Sequence, residues 1–138
     1  VPGRELGSGA NDTLREKIGE DYPRDTFRHE QDLLVTENGK TALFAGCAHC
    51  GIVNILKSAE DVLGRAPDAV FACFHLYNPS LGKSEPDELV DAVGEKLRGD
   101  KVAHYFTGHC TGKEAYERLK RKLGDRLGEM PAGSDFTV

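Results

Sequence analysis

The chain has 138 residues, 38% of them hydrophobic and 30% charged, with a formal net charge of −5. That length is one domain, able to bury roughly two thirds of its unfolded surface if it folds alone. The acidic balance offers no basic field for a phosphate polymer, which argues against nucleic acid as a partner. The longest apolar runs, such as Ala69 to Leu76, are too short to cross a bilayer, and the N-terminus carries no charged start followed by an apolar signal core. A cytoplasmic location is therefore expected. The chain starts at Val1 and its single methionine is Met130, so a processed chain or a piece of a longer protein is expected.

In chain order, Val1 to Asn11 has the Gly and Ser content of a tail, and Asp12 to Gly19 reads as a short helix capped by Asp12. The polar stretch Asp21 to Gln31, with Pro23, reads as loop, so residues 1–27 form a tail with a short helix and residues 28–138 the folded part. Leu33 to Thr36 and Thr41 to Phe44 flank Asn38-Gly39, a type I′ hairpin signal. Gly51 to Gly64 carries apolar residues at helical spacing and stops at a glycine. Ala69 to Leu76 is a buried strand, and Tyr77 to Lys83 a loop. A helix capped by Ser84 runs to Gly99 with Pro86 in its first turn. Lys101 to Thr107 is the next strand and Lys113 to Gly124 the last helix. Asp125 to Met130 and Ser134 to Val138 read as short final strands. The sum is an α/β layered domain, whose parallel strands would deliver functional residues at their C-terminal ends.

Two strand ends carry the chemistry. In TALFAGCAHCGIVN (Thr41 to Asn54) an apolar strand stops at a glycine and delivers Cys47, His49 and Cys50 before a helix; FTGHCTG (Phe106 to Gly112) repeats the order with His109 and Cys110. His75 ends the strand between them. Imidazole and thiolate are preferred zinc ligands and suit iron as well. His49, His109, Cys47 and His75 are the candidate metal ligands, whereas His104, mid-strand, and His29, in a polar loop, read as structural or solvent-facing. Three of the four cysteines lie beside His or Gly at strand ends, a placement suited to ligands rather than to disulfide staples. Amides between Gly108 and Gly112, at the mouth of a helix, suit an anion. Thr111 and Gly112 are thus candidate substrate contacts, Thr111 reading also as the N-cap of that helix.

Two alternatives come from other classes. Cys47-Ala48-His49-Cys50 matches the Cys-x-x-Cys motif of thiol-disulfide oxidoreductases at the start of a helix. Against it, no proline is placed as thioredoxin-like domains require. The other alternative is a non-catalytic metal-binding module.

GCAHCGIVNIL, FHL and TGHCTGKEAYERLKRKLGDRL together resemble the C-terminal half of metallo-β-lactamase-fold hydrolases, in the dihydropterin ribofuranosylaminobenzene phosphate synthase-like branch. The resemblance runs from Arg28 to the C-terminus. It implies one half, a β-sheet plus helices, of an αββα sandwich, and a divalent metal (zinc first, manganese or iron next). It also implies metal-activated water attacking a phosphoester or carbonyl centre of a small-molecule, phosphate-bearing substrate. By position, His109 matches the last His ligand of the superfamily. Gly46-Cys47 falls where many members have Gly-Asp, and His49 is the hallmark His of the branch. Cys50, Ala72-Cys73 and His29 depart from the branch pattern, and the H-x-H-x-D-H motif of the N-terminal half does not occur in these residues. A half sandwich exposes an apolar sheet face. It is therefore expected to be inactive alone and to pair, as a homo-oligomer or with a missing N-terminal half.

Overall fold

The computed structural model describes residues 5–138. A five-stranded sheet is built from Asp32–Glu37 (β1), Lys40–Ala45 (β2), Ala69–Ala72 (β3), His104–Thr107 (β6) and Leu127–Glu129 (β7), in the order β1-β2-β3-β6-β7. Tyr77–Asn78 (β4) and Lys83–Ser84 (β5) form a separate two-stranded ribbon. The helices are Ile52–Leu63 (α1), Asp87–Gly99 (α2) and Lys113–Leu123 (α3). Among the described residues no helix is long and apolar enough to cross a membrane.

The Asn38-Gly39 turn forms as its residue types dictate, with φ of 49° and 76°, and joins β1 to β2 antiparallel with Leu34 opposite Leu43. From β2 onward every neighbour in the sheet is parallel. Parallel pairing requires crossovers, and α1, α2 and α3 supply them. Period-two alternation then divides the sheet into two faces. Leu43, Ala45, Val70, Ala72, Tyr105 and Leu127 join Ile55 and Leu56 of α1, Val90, Val93 and Leu97 of α2, and Leu119 of α3 in one core. All three helices therefore cover the same face.

The other face is apolar and, among the described residues, carries no helix. Phe44, Phe71 and Phe106 are register partners across β2, β3 and β6, and their rings stack at 5.0 and 4.8 Å. Leu33 at 59%, Val35 at 43% and Phe44 at 41% exposure extend this surface toward β1. The stretch Ser134 to Val138 is not the final strand its composition suggests. It lays Phe136 on the phenylalanine ladder instead, 4.4 Å from Phe106 and 5.3 Å from Phe71.

The helix expected over Asp12 to Gly19 is also not formed. A 3-10 turn spans Gly9–Thr13, after which the chain doubles back through bridges Arg15 to Arg24 and Ile18 to Asp21. Eight residues with two apolar positions do not offset the cost of helix nucleation, and the Pro23 segment offers backbone partners instead. The first four residues of the expected tail lie outside the described residues, whereas Ser8 and Asn11 are buried. Neither expected side-chain cap forms: Ser84 donates to Glu114, the N-cap position of α2 is Pro86, and that of α3 is Gly112. Gly112 is required there twice over. Its φ is 77°, and a Cβ would stand 2.6 Å from that of Tyr77.

Candidate metal centre

β2, β3 and β6 are adjacent and parallel, so their C-terminal ends bring Cys47, His49, His75 and His109 to one edge of the sheet. The backbone there is strained. Six described non-glycine residues have positive φ, and three of them, Ala48 (53°), His75 (49°) and His109 (45°), sit one at each of these strand ends. Left-handed backbone at non-glycine positions persists only where the surroundings impose it, and it concentrates at functional sites.

His49 is held from four directions. Glu30 accepts the backbone N–H groups of His49 and Cys50, both at 2.7 Å. Asn11 donates through Nδ2 to the His49 carbonyl at 2.7 Å, which leaves its Oδ1 as acceptor for the ring Nδ1, 2.9 Å away. The proton is thereby assigned to Nδ1 and the lone pair to Nε2, the tautomer and outer hydrogen bond that a metal-binding imidazole needs. Phe27 stacks flat on the ring at 4.3 Å. Burial lowers the His49 pKa, against the raising influence of Glu30.

His75 packs its ring 4.1 Å from that of His49 and is 7% exposed. Both of its ring nitrogens are buried without a hydrogen-bond partner among the described residues. Burial, reinforced by the neighbouring His49, pushes its pKa down to about 4. A neutral imidazole carries one donor and one acceptor nitrogen, so burying both without a partner is costly and marks the position as a candidate site residue.

His109 opens a 3-10 turn, His109–Thr111, directly after β6. Its Nδ1 lies 4.0 Å from Cys47 Sγ, and ligand atoms of Cys47, His109 and Cys110 all lie within 4.8 Å of one another. The expected ligands thus fall into two neighbouring pairs, Cys47 with His109 and His49 with His75. A third thiol, Cys73, is held below the usual thiol range by the influence of Cys110, which is itself raised in turn.

The expected substrate contacts lie beside a cavity of about 410 Å³ lined by Gly108, His109, Thr111, Gly112, Tyr116 and Met130. The Thr111 hydroxyl itself is engaged. It accepts the Phe74 N–H at 2.9 Å and pairs with the Thr107 hydroxyl at 2.6 Å, tying the end of β3 to the turn that carries His109.

The Cys-x-x-Cys pair is arranged differently from a redox dithiol. α1 begins at Ile52, so Cys47 stands outside the helical turn whose dipole would acidify it. Cys50 points away to the Phe27 carbonyl at 3.6 Å, and burial raises its pKa to about 11. Local patterning missed Asn11, Glu30 and Cys110. Only Cys110 had a signal, its place in the repeated Gly-His-Cys turn; Asn11 sat in a stretch with tail composition and Glu30 in a polar loop.

No family model matches the chain. The sequence is 29% identical over 101 residues to 7,8-dihydropterin-6-methyl-4-(β-D-ribofuranosyl)-aminobenzene-5′-phosphate synthase of Methanocaldococcus jannaschii, a match covering 72% of this chain and 32% of that protein. Its structure is similar to the crystal structure of Tm1679, a metal-dependent hydrolase of the β-lactamase superfamily. The TM-score is 0.77 at 22% identity, over 94% of this chain and 50% of that one. The chain thus spans about a third and a half of the lengths of these two proteins. With three helices on one face of its sheet and the other face open, it has the α/β fold of one half of a β-lactamase-superfamily metal-dependent hydrolase.

Proposed function

We propose that this chain is the C-terminal half of a metal-dependent hydrolase whose centre is assembled on His49, His75, His109 and Cys47. One observation carries the proposal: three adjacent parallel strands end in left-handed residues that gather these side chains, with both nitrogens of His75 buried and unpartnered. Soft sulfur and nitrogen donors suit a divalent ion, zinc above all. When bound, such an ion lowers the pKa of a water molecule and polarises a phosphoryl or carbonyl group of the substrate.

The chain's own residues supply orientation. Asn11 and Phe27 fix the His49 ring with Nε2 free, and Glu30 holds the turn that carries it. The cavity beside His109, with the amides around Gly112 at the start of α3, receives a small phosphate-bearing substrate. A pterin-type substrate is supported by the similarity to the Methanocaldococcus jannaschii synthase alone. A reducing, cytoplasmic setting fits the four free cysteines.

The phenylalanine ladder is the surface on which the second layer of the sandwich packs, supplied by further chain or by a second copy. Light scattering coupled to size exclusion, with phosphodiester and lactone hydrolysis followed in each fraction, tests this directly. Turnover confined to assembled fractions and abolished by a chelator is the expected result. A folded, metal-loaded assembly that cleaves neither ester would replace the hydrolase with a non-catalytic metal module.

A further inference from the structure

We propose, resting on the metal-centre reading of Cys47 and His109 above, that Cys110 joins them in a thiolate-rich centre that holds one zinc-like ion within this chain alone. Among the described residues these three are the one group of three or more His, Cys, Asp or Glu side chains whose ligand atoms all approach within 4.8 Å. Zinc binds thiolate sulfur at about 2.3 Å and imidazole nitrogen at about 2.0–2.1 Å, so ligand atoms around a tetrahedral ion stand roughly 3.5 Å apart. Cys47 Sγ and His109 Nδ1, at 4.0 Å, need to close by only a few tenths of an ångström to reach that spacing.

The local backbone explains how two consecutive residues serve one centre. Side chains at neighbouring positions of a regular element diverge. Here His109 is left-handed at φ 45°, and the turn it opens sets the Cys110 thiol 4.0 Å from the Cys47 carbonyl while His109 itself faces Cys47 Sγ. The strain at His109 thereby acquires a function that a hydrogen-bonded structural histidine would not need.

Donor chemistry then selects the ion. Two thiolates and one imidazole favour zinc, ferrous iron or cobalt and disfavour manganese, magnesium and calcium, which prefer oxygen. Binding releases the two thiol protons to solvent. Three protein ligands, with His109 exposed and Cys110 buried, resemble centres that keep a position open for water or substrate rather than closed structural ones. His49 and His75 are not part of this set. They remain available to a second ion or to the substrate once the sandwich is complete.

The experiment is cobalt(II) titration of the reduced, chelator-free chain, followed by X-ray absorption of the zinc-loaded form. Saturation is expected at one ion per chain, with a sulfur-to-cobalt charge-transfer band that Cys110→Ser lowers by about half and Cys50→Ala leaves unchanged. Zinc should displace the cobalt, and excess manganese should not. A wild-type band insensitive to Cys110→Ser, or fewer than two sulfur neighbours around zinc, would overturn the proposal. The sulfur count decides the matter even if Cys110→Ser fails to fold. Two sulfurs without hydrolysis in any assembly would retain the thiolate centre and remove the hydrolase; one sulfur with hydrolysis would do the reverse.

Discussion

His49 and His109 occupy equivalent places in the fold, each just after a parallel strand and before a helix, yet their surroundings differ sharply. His49 is half-buried, stacked on Phe27, bonded through its ring to Asn11 and through its backbone to Glu30. His109 is exposed, with its Nδ1 4.0 Å from Cys47 Sγ. The first is pre-organised by this chain. The second stands ready for a ligand that the other groups of the site, or an ion, must provide. Pre-organisation on one side and openness on the other is how a site combines precise geometry with access.

The largest effect that sharpens the contrast is pH. The folded-state pKa of His75 lies at about 4, below the ordinary value of 6.5, so the unfolded chain binds the extra proton first as pH falls. Stability is therefore full above pH 6.5 and falls as pH drops toward 4, by up to about 3 kcal/mol. Urea denaturation of the metal-free chain across that range should show the slope. His75→Asn, which tolerates a left-handed backbone, should flatten it; a slope unchanged in that variant would place the titration elsewhere.

Glu30→Ala tests the buttressed side. Removing a carboxylate that accepts two backbone N–H groups should lower stability by about 2–3 kcal/mol. Asn11→Ala should cost less, about 1–2 kcal/mol. It should also release the His49 ring, broadening its NMR signals and removing the preference for the Nδ1–H tautomer. A sharp, unchanged His49 spectrum in that variant would mean the amide does not orient the ring.

The smallest expected effect falls on the open side. His109→Ala should change the stability of the metal-free chain by no more than about 0.5 kcal/mol, as exposed positions do. The same variant should lose cobalt binding, so a large loss of metal-free stability would refute the division into a pre-organised and an open half.

Much of the architecture was written locally. The Asn38-Gly39 turn, the apolar spacing of Ile52, Ile55, Leu56 and Ala59, and the apolar run at Ala69 specify β1–β2, α1 and β3 because each signal lies within one element. The same holds for gathering the candidate ligands at strand ends, since parallel strands joined by helices must all point the same way. Asp12 to Gly19 escaped this logic because its alternative partner, Pro23, lies beyond a local window.

By itself, then, the sequence determined the β1–β2 hairpin, the three helices and the central strands, and that cysteines and histidines follow those strands. Only the tertiary structure decided the pairings. Cys47 meets His109 across 62 residues, His49 meets Asn11 across 38, and Glu30 reaches the His49 turn across 19. The physical reason is one of range. Periodicity and capping act over one or two turns of chain, whereas these contacts exist only after strand order has brought distant ends together.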